Sequence, residues 1–126
     1  MPIKVIIADD HEISRIGIRR LLSIAPDIDI IGEAVDGQHA LEISRSKKPD
    51  VVLLDVLMPN VSGIEAAQRI KAELREVCVI MLSAAEDEKS IERAMYAGAD
   101  GYLSKEVSSE ELVAAIRTVI LGERVF

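Results

Sequence analysis

The run Val51-Val52-Leu53-Leu54-Asp55-Val56-Leu57-Met58-Pro59 decides how this chain folds. Four consecutive Val and Leu residues describe a strand covered on both faces, the pattern of a parallel sheet and not of a half-exposed antiparallel one. A carboxylate closing such a strand, just ahead of a proline-containing loop, is poorly explained by folding alone. Ligands of open α/β sheets sit beyond the carboxyl ends of the strands, which is where Asp55 falls. Other apolar runs end in the same way: Ile3 to Ala8 at Asp9-Asp10, Val77 to Leu82 at Ser83, and Gly101 to Ser104 at Lys105. If the strands are parallel, Asp9, Asp10, Asp55, Ser83 and Lys105 converge on one edge of one sheet.

Helical patterns alternate with these strands along the whole length. Ile13, Ile18, Leu21, Leu22 and Ala25 recur at helical spacing up to Pro26. Ile28 to Val35 reads as a second strand, and Asp36-Gly37 opens a helix with Ala40, Leu41 and Ser44 on one side, ended by Lys47-Lys48-Pro49. Ser62 with Glu65 is a capping box for a helix carrying Ala67, Ile70 and Leu74. A fourth helix with Ile91, Ala94 and Met95 stops at Gly98. A fifth starts at Ser108, boxed by Glu111, is expected to bury Leu112, Ile116, Val119 and Ile120, and closes at Gly122. Five βα units without a composition break predict a (βα)5 doubly wound, five-stranded parallel sheet with helices on both faces.

Composition bounds the function. A chain of 126 residues, 49% hydrophobic, suffices for one domain and one sheet covered on both sides. A formal net charge of −7 repels a phosphate backbone, so this domain alone is not expected to bind nucleic acid. One cysteine excludes an internal disulfide, and no apolar run approaches the roughly 18 residues of a membrane span. The expectation is a soluble, cytoplasmic protein that makes no use of membranes. Cys78, inside an apolar strand, reads as a core residue, and His39 falls on a solvent face. His11 reads as a polar residue entering the first helix, with no ligand role.

The edge residues suggest their own chemistry. Three carboxylates in one pocket repel each other unless a cation sits among them. Oxygen-only ligands on a rigid edge suit Mg²⁺, so Asp9, Asp10 and Asp55 are assigned to that cofactor. Asp55 is also able to act as a nucleophile, attacking phosphorus to form an aspartyl phosphate. Mg²⁺, the Lys105 ammonium and the Ser83 hydroxyl then hold the three equatorial oxygens of the transferring group.

Asp9-Asp10-His11, Asp55 with Met58-Pro59 and Gly63, Ser83-Ala84, Gly98 to Lys105, and the closing Leu112 to Arg117 with Gly122 together resemble the receiver domain of two-component response regulators, in its NarL/FixJ-type branch. The resemblance spans the chain and implies a flavodoxin-like fold, with residues 1–126 as the phosphoacceptor domain. It implies a sensor histidine kinase as phosphodonor and the Leu57 backbone carbonyl as an extra Mg²⁺ ligand. It adds the Ala84 backbone N–H as a phosphate contact, and an output, transcription, read from the surface of the fourth helix, fifth strand and fifth helix. Branch members usually continue into a helix-turn-helix DNA-binding domain, which would lie outside this chain. That effector or a dimer partner is the expected target. Ser83 is expected to move toward the phosphoryl group and Tyr102 to rotate inward behind it, although Tyr102 reads equally as a ring half-buried on the last strand. By the same resemblance Leu57 and Ala85 flank the approach of the hydrolytic water, and neither side chain can hydrogen-bond one, so slow self-dephosphorylation is expected. Glu106 follows Lys105 where many receivers have proline, so no cis peptide is expected there. Two other readings are a phosphorylation-independent interaction module and a small Mg²⁺-dependent phosphohydrolase. The second places an acid two residues after its nucleophile, where this chain has Leu57. The chain is therefore not expected to be an enzyme beyond catalysing its own phosphotransfer.

Overall fold

The computed structural model describes residues 2–84 and 88–126. Strands and helices alternate as β1 (Ile3–Ala8), α1 (Glu12–Leu22), β2 (Ile28–Ala34), α2 (Gly37–Lys47), β3 (Val51–Asp55), α3 (Gly63–Glu73), β4 (Cys78–Ser83), α4 (Glu88–Tyr96), β5 (Gly101–Ser104) and α5 (Ser109–Ile120). The strands form one parallel sheet in the order β2-β1-β3-β4-β5. Chain direction across the sheet reverses between β1 and β3, and in doubly wound sheets that reversal opens a crevice at the carboxyl edge.

The five residues of β3 are all buried, as the central strand of a sheet covered on both faces requires. Alternate strand residues feed two cores. Ile6, Leu54 and Met81 pack with Ala40, Ala67 and Ile70 of α2 and α3, while Val5, Ile7, Leu53 and Ile80 pack with Leu22 of α1 and Leu112 and Ile116 of α5. Truncating Leu53 or Leu54, neither of which is exposed, to Ala would cost about 2–5 kcal/mol.

Local signals set the helix ends. Asp36, Ser62 and Ser108 accept hydrogen bonds from the backbone N–H groups of His39, Glu65 and Glu111, capping α2, α3 and α5. Gly98 and Gly122 adopt φ values of 91° and 90°, the left-handed conformation that lets the chain fold back over the ends of α4 and α5. Lys48 ends α2 in the same conformation without being glycine, immediately before Pro49.

Several expectations need correction. Ile120 is 40% exposed, because the buried stripe of α5 runs through Leu112, Ala115, Ile116 and Val119 and drifts off the last turn. Ile13 is 84% exposed, and α1 meets the core through the buried Ile18 and Leu22 with Leu21 half-buried beside them. Val35 lies outside β2 and Val77 outside β4, although Val77 is buried. His39 is only half-exposed, its Nδ1 accepting the Val35 N–H at 3.4 Å. The chain end adds a feature that periodicity did not suggest: Val125 lies beside β5, accepting the Tyr102 N–H at 2.8 Å and donating to the Asp100 carbonyl at 2.9 Å.

Candidate functional site

Sheet register brings the polar strand ends to one level. Ala8 pairs with Leu54, Asp55 with Leu82, and Ser83 with Ser104, so Asp9, Asp55, Ser83 and Lys105 all emerge at the carboxyl edge. Lys105 Nζ lies 2.8 Å from Asp9 Oδ2 and 3.3 Å from Asp55 Oδ2, one ammonium bridging two buried carboxylates. Asp9, Asp10, His11 and Asp55 each offer a ligand atom within 4.8 Å of the others. Asp9 and Asp55 are buried, whereas the Asp10 side chain is 30% exposed and that of His11 69%. Ser83 is buried beside them, its carbonyl accepting the Lys105 N–H at 2.9 Å, and Ala84 is exposed at the rim. Five expected residues thus share one edge: Asp9, Asp10, Asp55, Ser83 and Lys105.

The loop after β3 is tied closely to the site. The Val56 N–H donates to the Leu82 carbonyl at 3.1 Å, and the Val56 carbonyl accepts the Gly63 N–H at 3.0 Å, folding residues 56–63 back on themselves. A Cβ on Gly63 would lie 2.8 Å from the carbonyl carbon of Asp55 and 2.9 Å from Val56 Cα. Leu57 sits in this loop with its backbone next to the Asp55 carboxylate and its side chain 80% exposed. Ala85 lies outside the described residues. Tyr102 is 5% exposed, so its ring is buried and not half-buried, within the core on the α2 and α3 side.

Burial, and then the charge on Asp9, push the Asp55 carboxyl above the usual carboxylate range, with Lys105 pulling it back down. Burial also pulls the Lys105 ammonium down, but its bond to Asp9 and the charge on Asp55 outweigh that, leaving it above the ordinary lysine value. Three carboxylates against one ammonium leave an excess of negative charge in a pocket that is half closed to water. The donor set, dominated by the carboxylates of Asp9, Asp10 and Asp55, suits a hard dication and not a thiophilic metal.

Sequence reasoning missed two residues. His11 is indeed the cap position of α1, but its Nδ1 also lies 3.1 Å from Asp10 Oδ1 and 3.4 Å from Asp9 Oδ1. Its place directly after two aspartates was the available signal. Arg15, about one turn past the start of α1, reaches back to the Asp9 carbonyl at 2.7 Å. A long cation one helical turn beyond an acidic strand end could have pointed to it.

The response regulator receiver domain family matches residues 5–117, and the chain belongs to it. Along its full length it is 40% identical to the response regulator protein VraR of Staphylococcus saprophyticus, of which it covers 60%. It superimposes on the signal receiver domain of the response regulator NarL from Mycobacterium tuberculosis with a TM-score of 0.92 and 33% identity, covering 97% of this chain and 98% of that one. A LuxR-family two-component response regulator from Aurantimonas sp. SI85-9A1 gives 0.94 and 31%, over 100% and 90%. These relatives put the chain in the NarL/FixJ-type branch, with the flavodoxin-like fold. Members of the family are signalling proteins and not metabolic enzymes, and receiver domains generally bind Mg²⁺ at an acidic pocket such as the one formed here by Asp9, Asp10 and Asp55. No helix among the described residues is long and apolar enough to cross a membrane.

Proposed function

We propose that this chain is a phosphorylation-dependent switch that takes a phosphoryl group from a sensor histidine kinase onto Asp55. The observation that carries the reading is the Lys105 ammonium bridging Asp9 and Asp55 beside the four-residue ligand cluster, at the reversal point of a parallel sheet. Asp9, Asp10, Asp55 and the Leu57 backbone carbonyl would hold Mg²⁺, which when bound offsets the charge of the carboxylates and of the incoming phosphoryl oxygens. Asp55 must be ionised to attack, and Lys105 opposes the burial that disfavours its charge. One Asp55 oxygen bonds to phosphorus as the bond to the donor breaks, and Lys105, Ser83 and the Ala84 N–H take the equatorial oxygens.

The product adds about two negative charges beside Ser83 and Lys105 at the ends of β4 and β5. Ser83 and Tyr102 are the switch residues, and because the Tyr102 ring is already buried, phosphorylation acts by holding it there and shifting a population. The α4-β5-α5 face carries the change to an effector domain or dimer partner controlling transcription in the cytoplasm. Residues 1–126 are the receiver domain of such a regulator. Leu57, where a phosphohydrolase would carry its acid, speaks against the enzyme reading.

The test is intact mass after incubation with acetyl phosphate and Mg²⁺. Wild type should gain one phosphoryl group that hydroxylamine removes, Asp55→Asn should gain none, and a chelator should stop the reaction. Labelling of Asp55→Asn at the wild-type level would overturn the reading.

A further inference from the structure

Asp9 is held at every polar atom. Its N–H donates to the Ala34 carbonyl at 3.0 Å, Oδ1 accepts the His11 N–H at 2.9 Å, Oδ2 accepts from Lys105 at 2.8 Å, and its carbonyl accepts from Arg15 Nη1 at 2.7 Å. Of these partners Arg15 alone belongs to a helix interior, and it lies outside the ligand cluster. Its side chain is only 16% exposed, too covered for a solvated surface cation. Its Nε donates to Glu33 Oε1 at 3.0 Å, and Glu33 Oε2 accepts from Arg19 Nε at 2.6 Å. Glu33 reaches this place through a register shift between Val5 and Ile6, which pairs Ile7 with Glu33 and Ala8 with Ala34 at the carboxyl edge. A planar guanidinium with two fixed contacts thus spans β2, α1 and the corner bearing Asp9 and Asp10, a geometry that an ammonium does not reproduce.

We propose that Arg15, seated by Glu33 and Arg19, is a positioning residue for Asp9, fixing the corner that presents the two acidic ligands to Mg²⁺. The inference rests on the metal reading of Asp9 given above. Its consequence has a sign that simple electrostatics opposes. Removing a positive charge next to an acidic pocket should tighten binding of a dication. Loss of the partners that orient metal ligands weakens it, typically by about 10–100-fold.

The test is titration of the protein with Mg²⁺ alone, followed by backbone amide chemical shifts of the β1–α1 corner, which report affinity for folded molecules only. Arg15→Met should weaken Mg²⁺ about tenfold, at the lower end of that range. Arg15→Lys, which keeps the charge and loses the fork, should weaken it several-fold, and it decides the matter if the Met variant does not fold. Arg20→Met removes the same charge from an exposed position of α1 and should leave the affinity within about twofold. Unchanged or tighter binding in both Arg15 variants would overturn the inference while leaving the metal reading intact. Wild type that fails to bind Mg²⁺ at this corner would overturn both.

Discussion

Replacing Gly63 with Ala should damage the site without touching any group that does chemistry. The new Cβ would meet backbone on one side: the Asp55 carbonyl oxygen far inside van der Waals contact, its carbon at 2.8 Å, and Val56 Cα at 2.9 Å. Non-bonded carbons settle at about 3.5–4.0 Å, so the first turn of α3 must retreat by at least about 0.7 Å, and by more to clear the oxygen. No flexible side chain is available to yield, so the displacement falls on the loop that carries Leu57 past Asp55. Overpacking of this kind costs about 1–3 kcal/mol, or roughly 3–10 °C in a domain of this size. A shift near 1 Å in a reacting geometry costs on the order of 10²-fold in rate. Urea denaturation gives the first quantity, and the initial rate of acetyl phosphate labelling at saturating Mg²⁺ gives the second. A Gly63→Ala protein with wild-type stability and wild-type labelling would refute the close approach of α3 to β3. Lost stability with an unchanged rate would show that the loop repairs itself.

Without metal, Asp55→Asn should raise stability at neutral pH. The carboxyl pKa of Asp55 is raised on folding, so the native state holds its proton more tightly than the unfolded chain, and the cost grows as pH rises from the unfolded toward the folded value. The advantage of the variant should therefore vanish below the unfolded carboxylate range, as thermal melts across pH will show, and Mg²⁺ at ten times its Kd should add about 1.4 kcal/mol to wild type and far less to Asp55→Asn. Lys105→Ala leaves Asp9 and Asp55 facing each other uncompensated and should slow labelling by about 10²-fold, whereas Tyr102→Ala should leave labelling near wild type and alter partner binding or dimerisation, read by light scattering before and after phosphorylation. Leu57→Asn, carrying an amide at the loop that borders Asp55, should speed decay of the phosphorylated form by up to about 10²-fold, and an unchanged decay would show that water access is governed elsewhere.

Much of this was legible because the strands are short, apolar and buried on both faces. In such a sheet the first polar residue after each run must stand at the carboxyl edge, and Asp9, Asp55, Ser83 and Lys105 did. Helix starts were equally plain, since Asp36, Ser62 and Ser108 satisfy backbone donors a few residues away, a purely local relation. Depth was less legible than facing. Ile13 and Ile120 share the helical period of their neighbours but lie at helix ends beyond the cover of the sheet. The contacts of Arg15 depend on a register shift in β2, and the pairing of Val125 with β5 on a turn at Gly122, and neither relation has a periodic signature. Helix entry alone is a sufficient explanation of His11 in the sequence, whereas the structure gives it both positions at once.

The central claim is that Asp55, and no other carboxylate of the cluster, receives the phosphoryl group. Borohydride reduction of the freshly phosphorylated protein, followed by peptide mass mapping, converts an acyl phosphate into a permanent mark at the residue that bore it. Homoserine at position 55, with Asp9 and Asp10 intact, is the result this account predicts. Homoserine at position 9 or 10, or no reduced residue in a protein that has gained phosphate, would contradict it.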